Sequence, residues 1–293
     1  MTAAASRLFC FGLGYSALAL AEALAGRGWR VAGTCRSAEK RQAMMSRGIE
    51  AYLFDRDRPL EDATAVLAGT THLLSSVPPD AAGDPVLDRH ADAIGGLQGL
   101  SWAGYLSTTG VYGDHGGGWV DEDTPRRPSG ERGRRRVAAE DAWLGLRRRY
   151  RTPVHLFRLA GIYGPGRNAL ENIKAGTARR IVKPGQVFSR IHRDDIVQAL
   201  MASMQAPNPG AAYNICDDEA APPQDVITYA CGLLGRAPPP EIPFSEATLS
   251  PMARSFYDDN KRVRNDRMKQ ELGVRLKWPT YREGLAGLIA AGG

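Results

Sequence analysis

The sequence predicts an α/β fold: a doubly wound parallel sheet covered by helices on both faces, with a small C-terminal α/β lobe. Three observations carry that prediction. The first 36 residues hold a strand, a glycine turn, a helix and a second strand. Short apolar segments then alternate with helical ones as far as residue 159. The composition, 43% hydrophobic and 24% charged over 293 residues, suits a chain that buries a sizeable core.

The elements follow in order. An apolar run at 8–11 leads into Gly12-Leu13-Gly14-Tyr15-Ser16-Ala17, then an Ala/Leu-rich helix closed by Gly26 and Gly28, then a strand at 30–34. Gly12 permits the tight turn and Gly14 lets the backbone approach a diphosphate. Ala17 lets the helix sit close on the strand. Phosphate oxygens would meet backbone N–H groups where the helix opens, at Tyr15 and Ser16, on the positive end of its dipole. The pattern predicts a Rossmann-type dinucleotide site. A secretory signal would also explain an apolar start, but it would need more than Arg7 ahead of it, and Glu22 precedes the cleavage-like Ala23-Leu24-Ala25.

Residues 37–48 read as a helix capped by Ser37 and ended by Gly48, 50–54 as a strand and 62–68 as a short helix. A strand at 72–75 stops at Val77-Pro78-Pro79. A helix at 85–97, a strand at 105–107, a Gly/Asp/Pro-rich loop at 113–130, a long helix at 132–150 and a strand at 154–159 complete the alternation. Ligands in such sheets sit beyond the carboxyl ends of the strands. After residue 160 the pattern loosens: a loop to 168, a helix at 169–175, a strand at 186–192, and a helix to 204 capped by Asp194-Asp195. A strand at 211–215, a helix at 223–234, a proline-rich connector at 238–243 and helices at 267–272 and 281–290 close the chain. We expect residues 1–165 to form the nucleotide-binding core. Residues 166–293 supply the remaining core strands and a lobe over the substrate, interleaved with the core and not independent of it.

The end of the second strand selects the cofactor. An acidic residue there would bind ribose hydroxyls; this chain has Thr34-Cys35-Arg36-Ser37, with Lys40 and Arg41 one turn on. Arg36 can pair bidentately with a 2′-phosphate and Ser37 can donate to it, which favours NADP over NAD. Asp55 is placed to meet the adenine amino group or to cap the following loop.

Of the 38 basic residues 32 are arginine, and the formal charge is +6. Eight arginines lie between Arg132 and Arg151. No recognition motif or aromatic interleaving accompanies them, which argues against nucleic acid and for a basic cleft that takes a phosphorylated small molecule. No run is long and apolar enough to span a bilayer. Cys10, Cys35, Cys216 and Cys231 and the five histidines lack metal-ligand spacing, so we expect reduced thiols in a cytoplasmic protein and no metal.

Five blocks then fall in order: YLSTTGVYGD (105–114), RLAGIYGPGRN (158–168), RIHRDDIVQAL (190–200), AYNICDDE (212–219) and NKRVRNDRMKQELG (260–273). Together they resemble an extended short-chain dehydrogenase/reductase of the NAD(P)-dependent epimerase/dehydratase superfamily, in its atypical branch, over nearly the whole chain. The resemblance implies that Thr108, with Ser107 and Thr109 as neighbours, hydrogen-bonds the substrate's reacting oxygen. It implies that Ser75, Ser76 and Val77 pass the cofactor ribose and that 160–162, with Ile162, lie beside the nicotinamide amide. Arg158 is expected to pair structurally, and Asp194 and Asp195 to organise their helix. Arg262 would meet an anionic group or cap carbonyls. A homodimer is usual in such folds.

The family's acid/base is a tyrosine four residues before a lysine. Counting back from Glu140 places Arg132 and Arg136 at those positions. Arginine holds its proton near neutral pH, so it can bind ribose, phosphate or an oxyanion but cannot act as a base. Tyr163 is the candidate replacement, ahead of His192 and Tyr112. The chain is therefore expected to be an NADP-dependent oxidoreductase or epimerase/dehydratase-like enzyme on a small polar or nucleotide-linked substrate, with Thr108, Arg132, Arg136 and Tyr163 at its centre. The alternative is an NADP(H)-binding sensor without turnover; a structural or nucleic-acid role ranks third.

Overall fold

The computed structural model describes residues 6–292. The strands are β1 (Arg7–Phe11), β2 (Arg30–Cys35), β3 (Glu50–Leu53), β4 (His72–Ser75), β5 (Trp102–Thr108), β6 (Trp119–Val120), β7 (Val154–Leu159), β8 (Gly161–Tyr163), β9 (Arg180–Val182), β10 (Arg190–His192), β11 (Ala212–Ile215), β12 (Glu241–Pro243) and β13 (Arg262–Val263). The helices are α1 (Tyr15–Ala25), α2 (Ala38–Met45), α3 (Ala63–Leu67), α4 (Pro85–Gly95), α5 (Glu131–Tyr150), α6 (Ala169–Lys174), α7 (Arg193–Gln205), α8 (Pro223–Leu233), α9 (Pro251–Tyr257), α10 (Asp266–Leu272) and α11 (Tyr281–Ala290).

The central sheet has seven strands in the order β11-β7-β5-β4-β1-β2-β3. β1 pairs in parallel with β2 on one side and β4 on the other, so the winding reverses at β1. This is the doubly wound Rossmann fold that the alternation predicts.

The chain divides into two compact units that interleave along the sequence. The first takes residues up to Thr108, Arg134–Arg158 and Val197–Ala212; the second takes Thr109–Gly133, Leu159–Ile196 and the remainder from Tyr213. An expected boundary at 165/166 differs from this partition, because 109–133 and 159–165 fall in the second unit and 197–212 in the first.

In the first unit the core gathers Phe9, Phe11, Phe54, Tyr105, Trp143 and Leu156 between sheet and helices. Tyr105 of β5 stacks on Trp143 of α5 with ring centroids 5.7 Å apart. β5 begins three residues earlier than predicted. Ser-Trp-Ala-Gly lacks β-branched residues, but Gly104 leaves room for the Trp102 ring, which would lie 2.2 Å from a Cβ there. A buried ion pair holds α5 to the sheet: Arg158 of β7 donates to both Glu140 oxygens at 3.1 and 2.9 Å, and the Ser107 hydroxyl donates to Oε1 at 2.6 Å. Glu140 has no exposed surface, so these donors replace its water. Arg158 thus has the structural partner expected of it.

The second unit packs α6, α8 and α11 around Leu170, Val226, Ala230, Tyr281 and Leu285. Three two-stranded parallel pairs accompany them: β8 with β10, β9 with β12, and β6 with β13. Three of these six strands, β6, β8 and β12, lie in stretches that read as loop or connector, because two or three residues cannot display a period. The strand expected over 186–192 shortens to β10; the Gln186 amide is instead drawn to the Asp259 carbonyl at 2.8 Å. The Asp194-Asp195 cap is also corrected. Both residues sit inside the first turn of α7, and His192 Nδ1 accepts the Asp194 N–H at 3.1 Å as the cap. Asp195 is committed elsewhere, accepting the Lys277 and Trp278 N–H groups at 2.7 and 3.1 Å.

Candidate functional site

In the first unit the carboxyl ends of β1 to β4 open on a cleft of about 570 Å³. The glycine turn forms one wall. Gly12 has φ +82°, its N–H donates to Thr34 Oγ1 at 2.8 Å, and the Leu13 N–H donates to the Thr34 carbonyl at 2.8 Å. The Ser76 hydroxyl donates to the Gly12 carbonyl, so the ends of β2 and β4 both hold the turn. A Cβ on Gly12 would lie 3.0 Å from Ser76 Oγ and 3.1 Å from Val77 Cγ2. Gly14 differs. Among the described residues, apart from its chain neighbours, the nearest atom to a Cβ built there is Ser76 Oγ at 3.8 Å, so packing within the protein does not require glycine at this position. The space faces the cleft.

Gly14 is also the N-cap of α1. No side chain caps that helix and no acidic residue sits in its first turn. A helix start of that kind favours an anion site. Ser76 and Val77 border the same cleft. Tyr15 and Ser16 open α1 without lining it, and Ser16 is buried. Ser75 is enclosed in β4, with its hydroxyl unpartnered.

At the end of β2, Arg36, Ser37 and Lys40 all line the cleft. The Arg36 side chain is exposed; its carbonyl accepts from Arg58 at 2.7 Å. Ser37 caps α2, its hydroxyl accepting the Lys40 N–H at 3.3 Å. The cationic field reaches Cys35: burial pushes its thiol pKa up, while Lys40 and Arg41 act in the opposite direction. Asp55 borders the cleft too, but its carboxylate already accepts from the Asp57 N–H at 3.1 Å and from Arg58 at 2.8 Å, which is the loop-capping role. Sequence reasoning missed Arg56. It also lines the cleft and ties its loop down through Asp80 at 2.5 Å and Asp88 at 2.8 Å. Only folding brings those partners together.

At the carboxyl end of β5, Thr108 is partly exposed, whereas Ser107 is committed to Glu140. Arg136 lies one turn before Glu140 on α5. Its Nη1 donates to the Leu106 carbonyl at 2.7 Å and to the Tyr105 hydroxyl at 3.1 Å, with the guanidinium 5.8 Å over the Tyr105 ring. A fixed, permanently charged fork therefore stands where the resemblance implies an amine.

The second unit holds the other expected residues. Arg132 lies over the Phe256 ring at 5.2 Å. Ile162 is a partly buried residue of β8. The Tyr163 hydroxyl donates to the Thr280 carbonyl at 3.3 Å. Burial pushes its pKa up, and the Asp217 and Asp195 charges add to that, so it keeps its proton and cannot serve as a base near neutral pH. Tyr112 is buried, donating to Asn214 at 2.7 Å. Burial lowers the His192 pKa to about 4. Arg262 caps the Gly117 carbonyl.

All four cysteines are buried and unpaired. Among the described residues no helix is long and apolar enough to cross a membrane.

Comparison with known proteins agrees with this geometry. The profile of the NAD dependent epimerase/dehydratase family matches residues 12–216. Protein YeeZ of Escherichia coli K12 is 30% identical over 280 residues, covering 92% of this chain and 94% of its own. A conserved, functionally unknown protein from Silicibacter pomeroyi is 54% identical, with a TM-score of 0.90 over 98% of this chain and 99% of that one. UDP-glucuronic acid 4-epimerase from Bacillus cereus, solved with UDP-glucuronic acid and NAD, is 16% identical with a TM-score of 0.78 over 97% and 98% of the two chains, a likeness of fold. With its glycine turn at the head of the matched span and its sheet reversing at β1, the chain belongs to the NAD dependent epimerase/dehydratase family.

Proposed function

We propose that this protein is an NADP(H)-dependent oxidoreductase or epimerase/dehydratase-like enzyme acting on a small polar, nucleotide-linked or phosphorylated substrate. One observation carries the cofactor choice: Arg36, Ser37 and Lys40 share a cleft with the uncapped start of α1. The N–H groups of the first turn of α1, at Tyr15 and Ser16, would take the diphosphate. Arg36 would grip the 2′-phosphate with its fork, helped by Ser37 and Lys40. Ser76 and Val77 would border the ribose, and Asp55 the adenine edge. The Gly14 space and the helix start without a side-chain cap fit such a group.

When bound, the nicotinamide supplies a hydride donor or acceptor. Thr108 would donate its hydroxyl hydrogen bond to the reacting oxygen of the substrate. Arg136, held rigid by Leu106 and Tyr105, would stabilise negative charge developing on oxygen without exchanging a proton. Arg132 is a candidate for binding as a cation, Tyr163 as a hydrogen-bond acceptor, since its proton goes to the Thr280 carbonyl, and Ile162 for the nicotinamide amide. The nucleotide-linked substrate class rests on the Bacillus cereus relative. The buried thiols suit the cytoplasm. A second reading is a sensor that binds NADP(H) without turnover. It is favoured by Arg136, whose guanidinium replaces a titratable amine.

The test is a binding titration with NADPH and NADH. A charge-assisted contact contributes about 1.5–3 kcal/mol, so Arg36→Ala should weaken NADPH by about tenfold or more and NADH by less than about twofold. Equal losses would remove the 2′-phosphate assignment. Turnover that is lost in Thr108→Ala supports the enzyme; tight binding with no turnover over a broad substrate panel supports the sensor.

A further inference from the structure

The second unit contains a pocket of its own, about 230 Å³, lined by α6, α8, α11 and β10. Its walls are apolar, with Val226, Ile227 and Leu285 prominent. Its polar lining is Arg190, Tyr163 and Tyr281, with Asn172 and Arg179 exposed at the rim.

Arg190 is held in one orientation. Its Nη1 donates to the Phe188 carbonyl at 2.8 Å and to the Ala221 carbonyl at 3.0 Å. These bonds use one corner of the fork, and Nε and Nη2 donate to no group among the described residues. No carboxylate pairs with the guanidinium either. Asp217, the acid whose charge acts on it most strongly, forms no ion pair and is pushed towards its protonated form by burial. The Arg190 guanidinium lies 5.9 Å from the centre of the Tyr281 ring. Tyr281 is only 1% exposed, and its hydroxyl has no hydrogen-bond partner. A buried hydroxyl without an acceptor is costly to leave unsatisfied, and a half-buried guanidinium with two donors open can take an anion. Both border one pocket, beside an apolar wall of Val226, Ile227 and Leu285.

We propose that this pocket binds a small monocarboxylic acid with an apolar body. The carboxylate, an acceptor-only group of single negative charge, would take the open Nε/Nη2 edge of Arg190 and the Tyr281 hydroxyl. The aryl or branched aliphatic body would lie against Val226, Ile227 and Leu285, and Arg179 at the rim would draw the anion in. The lining belongs to one unit, so the site does not depend on the cofactor cleft.

The test titrates the intact protein with phenylacetate and with 4-methylpentanoate, read by calorimetry and ligand-observed NMR, with phenylacetamide as the uncharged match. At least one acid should bind saturably with a Kd below about 1 mM, and phenylacetamide about tenfold or more weaker. Arg190→Gln should weaken the acid about tenfold, and Val226→Trp, which fills the pocket, should abolish binding. Tyr281→Phe keeps the ring packing and should still weaken the acid about threefold, so the proposal remains testable if Arg190→Gln does not fold. It is overturned if neither acid binds, if the amide binds as well as the acid, or if folded Val226→Trp or Tyr281→Phe binds as the parent does.

Discussion

Removing one partner of the buried Glu140–Arg158 pair should deprive the other charge of its two-point contact. Glu140 is 0% and Arg158 5% exposed, and the guanidinium meets both carboxylate oxygens. Glu140→Leu and Arg158→Met should each cost about 3–5 kcal/mol, the range for breaking a buried ion pair by removing one partner. At about 2–4 °C per kcal/mol for a chain somewhat smaller than this one, each single variant should melt roughly 6–20 °C below the parent. The double variant Glu140→Leu/Arg158→Met replaces both charges with apolar bulk and should recover much of that loss. A coupling energy of about 2 kcal/mol or more is expected. The assay is a double-mutant cycle by urea denaturation, with thermal melts in parallel. Additive losses, or single losses below about 1 kcal/mol, would refute the reasoning. The singles should also lower cofactor-dependent function where the fold survives, because Arg136 lies one turn before Glu140 and its position depends on the seating of α5.

Gly12→Ala should cost about 1–3 kcal/mol and weaken dinucleotide binding, since φ is +82° and the new Cβ would press on Ser76 and Val77; an unchanged melting temperature would contradict this. His155 is fully buried, stacked on Trp102, and held by burial at a pKa of about 4 against an ordinary value near 6.5. Because the unfolded chain takes up that proton first, the stability linked to His155 falls as pH drops from about 6.5 to about 4. His155→Phe should therefore gain on the parent by about 3 kcal/mol across that window, and a constant gap would refute it. Asp217 has the opposite sign. Burial raises its folded pKa, so it costs stability above the unfolded value of about 3.9. Asp217→Asn should be the more stable form at pH 7 and should lose that advantage near pH 4, as thermal melts at both values will report.

Much of the proposed cofactor cleft is legible in the sequence because its parts are local. The Gly12–Ala17 turn and the Arg36–Ser37–Lys40 cluster each lie within a few residues, and the periods of strand and helix place them at the ends of β1 and β2. The family resemblance singled out Thr108 by counting back from Val111-Tyr112-Gly113 and Arg136 by counting back from Glu140, and it marked Arg158 as a structural pair. Non-local pairings were not legible. Arg56 meets Asp80 and Asp88 across 24 and 32 residues of chain. Arg190 and Tyr281, which border one pocket, lie on separate elements, β10 and α11. β6, β8, β9, β12 and β13 are two or three residues each, too short for a period. His192 capping α7 in place of two aspartates turns on which side chain faces the Asp194 N–H, a matter that composition at a helix start leaves open.

The central claim is that the uncapped start of α1 and the Arg36 cluster together bind a 2′-phosphorylated dinucleotide. Calorimetry of the folded parent protein with NADP+ and with NAD+ tests it most directly. One site per chain, with NADP+ bound about tenfold or more tighter than NAD+, is the predicted result. Heat from neither coenzyme, or equal affinity for both, would contradict it.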